Sequence, residues 1–399
     1  MAPDSSASSL PIPQKAGAFT FATLFVIESF ARSLNVTVVS LQAYDILGSS
    51  QKVSVLATLV AVTLLGSTLL LPFVLGRVRR RWVYTLGAAF MLAASLGLAT
   101  HTLAGQAAGM FFRSGGAAIF NIVLSLYILD NIRRQDLART EPLRFSMSAV
   151  SWTAGPGVGV WLYVQYGPWG PQAAVIATLI LLMAVFWYLR LSDPGTSLPP
   201  GNLQSFNPLA NVRRFTAQPR LVLGWLIAFG RSCFWATFMI YGPLLIVESG
   251  LGKGLSGWVI SASQALLLAA YWSGSLARHY SVRWVIAGSF GLAAVAALGA
   301  GAAGTHFPYV AIMLLLAGAL AGSALDGVGG IPFLRAVRPY ERQRMTAVYR
   351  TSIEFSELVP PFIFAFALLW FEIGAVFVIL GLWLGVCGFL AWRYLPRSL

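Results

Sequence analysis

Apolar residues fill this chain in long runs separated by short clusters of charge, Gly or Pro. A helix needs about 20 mostly apolar residues to cross a bilayer. Runs of that kind occupy 17–43, 53–76, 82–100, 103–130, 145–166, 171–190, 219–247, 255–277, 283–303, 306–334, 344–370 and 373–392. The pattern predicts an all-α membrane protein with twelve transmembrane helices, called spans 1 to 12 here.

Composition agrees: of 399 residues, 57% are hydrophobic and 10% charged, which excludes a soluble globular domain. The formal charge of +14 raises the question of nucleic acid, and the placement of the basic residues answers it. Of the 27 Lys and Arg, 21 fall at the two ends of the chain and in alternate loops, and only Lys52 and Lys253 fall in the opposite loops. Arg32, Arg113, Arg231 and Arg350 are within spans. Basic loops mark the inner side, so both termini are expected to be cytoplasmic, in the inner (plasma) membrane of a bacterium. Lipid is the expected surroundings, with no nucleic-acid partner and a monomeric state. Residues 1–16 read as a disordered tail. No cleaved signal peptide is expected, because the first apolar run is too long and carries Glu28 and Arg32. Cys233 and Cys387 lie within spans, where a disulfide is not expected.

The chain repeats itself. Phe30-Ala31-Arg32-Ser33 returns as Phe229-Gly230-Arg231-Ser232, Arg81-Trp82-Val83 as Arg283-Trp284-Val285, and Lys52 as Lys253, all offset by about 200 residues. Glu141-Pro-Leu-Arg144 and Glu341-Arg-Gln-Arg344 keep the same register. The repeat predicts two pseudo-symmetric six-helix bundles, 17–191 and 219–399, joined by a cytoplasmic linker at 192–218 that is rich in Pro, Ser and Asn and has no apolar period.

Eight ionisable residues fall within spans: Arg32, Arg113, Arg231 and Arg350 against Glu28, Asp326, Glu354 and Glu357. Each costs about 3 kcal/mol at the middle of a membrane unless it is paired or meets water. Glu28, Arg32 and Asn35 share one helix face, as do Arg350, Glu354 and Glu357, so both faces should look inward. Glu28 precedes Arg32 by four residues, which suits an intrahelical pair. Arg231 has no acid three or four residues away, so its partner must come from another helix or from a ligand. Asp326 precedes Gly327, Gly329, Gly330 and Pro332 and reads as a gating or pairing residue near the cytoplasmic end of a breakable helix. Pro360-Pro361 should kink span 11. The small residues of span 9 read as a close-packing face. Trp235, with Phe234, Phe238 and Tyr241, either shapes a pocket near Arg231 or faces lipid, and Asn121 and Tyr127 are similar cases.

Twelve spans in two repeats with a cytoplasmic linker resemble the major facilitator superfamily. The loop after span 8, Gly274-Ser-Leu276-Ala277-Arg278, is similar to the start of that family's loop motif. The loop after span 2, Gly76-Arg77-Val-Arg79-Arg80-Arg81, is similar to its basic end. Both copies lack the motif's acid, which is Gly76 in one and Arg278 in the other. By resemblance, Asp130 pairs with Arg77 or Arg80, and Arg113 in Arg113-Ser-Gly-Gly116 takes part in proton coupling. Gly155-Pro156-Gly157-Val158-Gly159 resembles a signature of exporting, proton-antiporting members. The resemblance also implies that spans 1, 4, 7 and 10 line a central cavity, placing Arg32 and Arg231 across it from each other.

Guanidinium groups hold carboxylate or phosphate in a bidentate fork. Arg32 and Arg231, with Glu28, Asn35, Trp235 and Asn121, are the candidate substrate-binding residues. Glu354, Glu357, Arg350 and Arg113 are the candidates for proton coupling, and Asp130, Arg77, Arg80, Asp326, Gly155, Pro156 and Gly159 those for gating. The three histidines lie at loop edges and no Gly-x-x-x-x-Gly-Lys-Ser/Thr occurs, so no metal, cofactor, enzyme activity or ATP use is expected. The expected function is secondary transport by alternating access: proton-coupled export of a small organic molecule with an acidic group. An anion uniporter or exchanger without protons, and a non-transporting sensor or scaffold of the same fold, stay open.

Overall fold

In lipid, every backbone N–H and C=O must find its partner within the segment, so long apolar runs fold as helices. The structure, a computed structural model, describes residues 18–68, 78–131, 134–189, 208–338 and 341–396. Among them are sixteen α-helices and no β-strand. In chain order they are α1 (Ala18–Leu34), α2 (Val38–Leu47), α3 (Ser50–Thr68), α4 (Arg80–Ala99), α5 (Leu103–Asn131), α6 (Arg134–Tyr166), α7 (Trp169–Tyr188) and α8 (Pro208–Thr216). The remainder are α9 (Pro219–Glu248), α10 (Lys253–Ala265), α11 (Ala270–Tyr280), α12 (Val282–Ala303), α13 (Pro308–Val328), α14 (Ile331–Ala336), α15 (Arg342–Ala367) and α16 (Gly374–Tyr394).

Eight of the described stretches are long and apolar enough to cross a membrane, and Ser50–Leu65 is a shorter apolar helix. The more polar α6 and α15 fall outside that set, as does the α10–α11 stretch, which a 3-10 turn at Leu266–Ala269 interrupts. Packing supplies a reason: α6 lies against α10 and α15 against α3, so these helices turn part of their surface toward protein rather than lipid. Large apolar side chains such as Leu96, Ile180, Val295 and Phe362 are exposed, a surface suited to lipid contact. Exposed Trp82, Trp187, Tyr188, Trp284 and Tyr394 cluster at one set of helix ends, and Tyr166, Trp169, Tyr309 and Trp370 at the other. Aromatic residues favour those two depths of a bilayer.

Three sequence features break helices as expected or add to them. Span 1 divides at Asn35–Thr37, between α1 and α2. Gly329-Gly330, ahead of Pro332, separates α13 from α14. By contrast α15 continues as helix through Pro360 and Pro361. The linker region needs a correction: its last part is not irregular but forms α8, with Asn211 and Phe215 buried on one face, four residues apart. Phe215 packs with Leu221, Phe333, Val337 and Met345, and Arg214 pairs with Glu341. Four apolar residues in nine, two of them adjacent, show no clear period in sequence, and the burial depends on a distant surface. The tail, linker residues 192–207 and Arg77 lie outside the described residues, as do the side chains of Asp130, Glu141, Arg144 and Arg278.

The apolar interior forms two main clusters. One gathers Phe21, Leu24, Tyr84, Phe120, Tyr127 and Phe186, all from α1 to α7. The other is built mainly from α9 to α16, with Phe234, Phe238, Phe290, Phe364 and Phe377, and reaches Ala43, Val53 and Leu56. The expected close-packing face of span 9 is present in part: a Cβ on Gly301 would stand 2.6 Å from the Gly374 carbonyl oxygen.

The tightest approach in the described structure is between α1 and α6. A Cβ on Gly155 would stand 1.9 Å from Ser33 Oγ, and one on Gly159 would stand 1.8 Å from the Leu34 carbonyl oxygen. Ser33 Oγ donates to the Ser151 carbonyl at 2.9 Å, and Ser151 Oγ to the Val26 carbonyl at 3.0 Å, so the two helices are stitched where they touch. Gly159→Ala is therefore expected to lower the melting temperature in detergent, by the equivalent of about 1–3 kcal/mol or more for overpacking against backbone. Gly288→Ala, where an added Cβ meets nothing within 4 Å, should leave it unchanged or slightly raised. Equal melting temperatures for the two variants would contradict the close approach.

Candidate functional site

Arg32, on α1, is held from three helices. Its Nη1 lies 3.2 Å from Glu28 Oε1 and donates to Asn121 Oδ1 on α5 at 3.2 Å, and its guanidinium sits 5.8 Å from the ring centroid of Trp152 on α6. Glu28 is fully buried. The i, i+4 pair expected from sequence is thus formed, and Asn121 serves it. Asn35, a candidate substrate ligand, is instead committed to structure. It is buried and exchanges two amide hydrogen bonds with Gln172 on α7, at 2.9 and 3.0 Å. Such a partner, 137 residues away, leaves no trace in local sequence.

Arg231, on α9, finds the partner it lacked locally: its Nη1 is 2.9 Å from Asp326 Oδ1. The second carboxylate oxygen accepts from Trp235 Nε1 at 2.9 Å. The structure therefore pairs Asp326 with Arg231, joining α13 to α9, which is the pairing alternative of the sequence reading. Trp235 uses its indole N–H there, while Phe234, Phe238 and Tyr241 are buried in the core instead of facing lipid.

The remaining in-span charges are not paired in this way. Among the described residues, Arg350 and Glu354, one turn apart on α15, make no ion pair within 4 Å, and neither do Glu357 and Arg113. Glu357 is exposed, yet its electrostatic neighbours include Arg113 and Arg32 from α5 and α1 as well as Glu354. Arg113 is half-buried, and its Nε is shielded and without a hydrogen-bond partner. Arg80 is buried at the start of α4.

Polar bridges between the helices before and after the linker gather at the far end from residues 18 and 219. Lys253 Nζ lies 2.7 Å from Asp45 Oδ2, which also accepts from Tyr163 Oη at 2.6 Å, and Lys253 stands 5.7 Å from the Tyr163 ring centroid. Ser50 Oγ donates to Glu248 Oε1, and Ser54 Oγ and Tyr241 Oη are 2.6 Å apart. Deeper in, the Gly157 N–H donates to Ser261 Oγ at 2.8 Å, and a Cβ on Gly257 would stand 2.7 Å from Val160. The Gly155–Gly159 stretch is thus where α6 is pressed between α1 and α10. Sequence reasoning missed Asp45, Tyr163 and Glu248. The available signal was that Lys253 is a rare basic residue on its side, and so a natural mate for a nearby acid.

The chain belongs to the Major Facilitator Superfamily, whose family model matches residues 21–270. A search of the curated proteins finds no match. Solved structures with a similar fold include a peptide transporter in complex with alafosfalin, at 13% identity and TM-score 0.71, covering 97% of this chain and 96% of that one. A D-xylose–proton symporter is similar at 12% identity and TM-score 0.72 over 96% and 99%. A nucleoside transporter is similar at 14% and 0.68 over 92% and 98%. The protein is an integral membrane transporter, not an enzyme. Identities this low speak to the fold and leave the substrate to the site itself.

The Arg231–Asp326 pair is open to a direct test. Asp326→Asn and Arg231→Gln should each cost about 1–3 kcal/mol, below the roughly 3–5 of a fully buried pair because both side chains keep some exposure. The double variant should regain part of the loss, read as melting temperature in a double-mutant cycle. Strict additivity would show that the two groups do not interact.

Proposed function

We propose that this chain is a secondary active transporter of twelve spans, two six-helix bundles at 17–191 and 219–399 joined by residues 192–218, that works by alternating access. In this proposal both termini face the cytoplasm of a bacterium, and the monomer exports a small organic molecule bearing an acidic group in exchange for protons. The observation that carries it is the set of polar bridges between the early and late helices, with Asp45 paired to Lys253 and Ser50 bonded to Glu248, in a chain that keeps exposed Glu357 elsewhere within its spans. These bridges close the end far from residues 18 and 219. Ion pairs and hydrogen bonds at a solvent edge are each worth about a kilocalorie or less. A closure made of several such bonds can open at modest cost.

Arg32 and Arg231 each engage an acid of the protein, so a substrate would compete with Glu28 or Asp326 for them. Arg113 meets no such competitor and is the better first anchor for an anion. Glu357 suits the proton, since an acid that reaches water and lies beside fixed cations changes its charge according to what binds next to it.

Reconstitution into liposomes with an internal pH dye tests the proposal. Organic acids that are transported should drive proton movement in wild type, and Glu357→Gln should reduce that movement about tenfold or more, equivalent to about 1.4 kcal/mol of lost coupling. Substrate movement without protons would favour an anion uniporter or exchanger. Absence of any transport would favour a sensor or scaffold of the same fold.

A further inference from the structure

The helix α8 is pinned to the second half of the chain by an apolar plug. Phe215 of α8 stacks on Phe333 of α14 with ring centroids 6.5 Å apart, and Phe333 stacks in turn on Tyr349 of α15 at 4.0 Å. Leu221 of α9, Val337 and Met345 complete the cluster. A Cβ on Gly224 of α9 would stand 3.2 Å from Phe333, so the plug leaves little spare room.

The plug is bordered by arginines from three helices. Arg213 and Arg214 precede Phe215 on α8, Arg220 precedes Leu221 at the start of α9, and Arg335 lies between Phe333 and Val337 on α14, all four exposed. The acid in contact with this group is Glu341, which is buried and already engaged by Arg214 and by Gln218 Nε2 at 3.5 Å. Among the described residues, Arg213, Arg220 and Arg335 form no ion pair within 4 Å. The junction of α8, α9 and α14 thus presents positive charge that the protein itself does not neutralise.

We propose that this junction is a binding surface for anionic phospholipid headgroups, with Arg213, Arg220 and Arg335 as its phosphate contacts. Guanidinium groups meet phosphate oxygens in a bidentate fork and stay charged at every physiological pH. Depth favours a lipid as the source of the phosphate. α9 is long and apolar enough to cross a membrane and begins at Pro219, so Arg220 stands where headgroups lie. Apolar neighbours favour it too: Val212 beside Arg213 is 44% exposed, and Leu334 beside Arg335 is 54% exposed. A free phosphate has no use for those side chains, whereas a lipid offers them its glycerol and upper acyl chain. Headgroups that touch both α8 and α14 tie the linker to the segment that follows the Gly329-Gly330 break.

The test titrates purified full-length protein in neutral detergent with phosphatidylglycerol, with phosphatidylcholine of the same acyl chains, and with inorganic phosphate. Binding is read by native mass spectrometry and as a rise in melting temperature. Phosphatidylglycerol should bind at least tenfold tighter than phosphatidylcholine, and the preference should shrink as salt is raised to about 0.5 M. The triple variant Arg213→Gln, Arg220→Gln, Arg335→Gln should bring the two lipids to within about twofold of each other, since each basic residue at an anionic surface is worth about fivefold. Its lipid-free melting temperature should match wild type, because the three side chains are exposed. Arg79→Gln with Arg393→Gln removes two exposed arginines that lie outside α8, α9 and α14, and should keep the preference. The proposal is overturned if that comparison variant loses as much of the preference as the triple variant, which would make the effect one of overall charge. It is also overturned if wild type shows no preference between the lipids, or if inorganic phosphate stabilises the protein as well as phosphatidylglycerol does.

Discussion

The cost of placing charge in a membrane organises this molecule. Each ionised side chain at mid-bilayer costs about 3 kcal/mol unless it is paired or hydrated, and the chain carries eight such residues within its predicted spans. Two arginines meet that cost with acids of their own, Arg32 through Glu28 one turn earlier and Arg231 through Asp326 on another helix. Both arrangements are reinforced, the first by Asn121 and the second by Trp235. Arg113 and Glu357 form no ion pair within 4 Å among the described residues.

Close backbone packing does the complementary work. Driving apolar surfaces together gains little when the alternative solvent is lipid, so tight van der Waals contact and interhelical hydrogen bonds hold the helices. Glycine at 155 and 159 lets α6 approach the backbone of α1, and Gly157 and Gly257 bring it against α10. The stretch that resembles an antiporter signature thereby touches both an early helix, α1, and a late one, α10. Serines 33 and 151 fix its register.

Much of this was legible in the sequence where the cause is local. The apolar runs located the helices, and the spacing of Glu28 and Arg32 foretold their pair. The lack of any acid near Arg231 required a partner from elsewhere, and Gly329-Gly330 before Pro332 broke the helix as expected. What was not legible depends on distant pairing. Asn35 looked like a ligand because it shares a polar face with Arg32, and only the approach of Gln172 makes it structural. Asp326 read as a gating or pairing residue from its glycine neighbours, and only the meeting of α13 with α9 identifies Arg231 as its mate. α8 looked irregular because its buried face depends on Phe333 and Met345. The Asp45, Lys253 and Tyr163 cluster joins residues 208 positions apart in chain order. No periodicity reports a bond of that reach.

The central claim is that the end bridged by Asp45 and Lys253 and the opposite end open in alternation. Electron-paramagnetic distance measurement tests it most directly, with spin labels at Ser49 and Gly252 on the bridged end and at Tyr188 and Ala217 on the other, in protein lacking Cys233 and Cys387. Lowering the pH through the carboxylate range should lengthen the first distance and shorten the second together, as two populations exchanging weight. Distances that do not change, or that lengthen at both ends at once, would contradict the account.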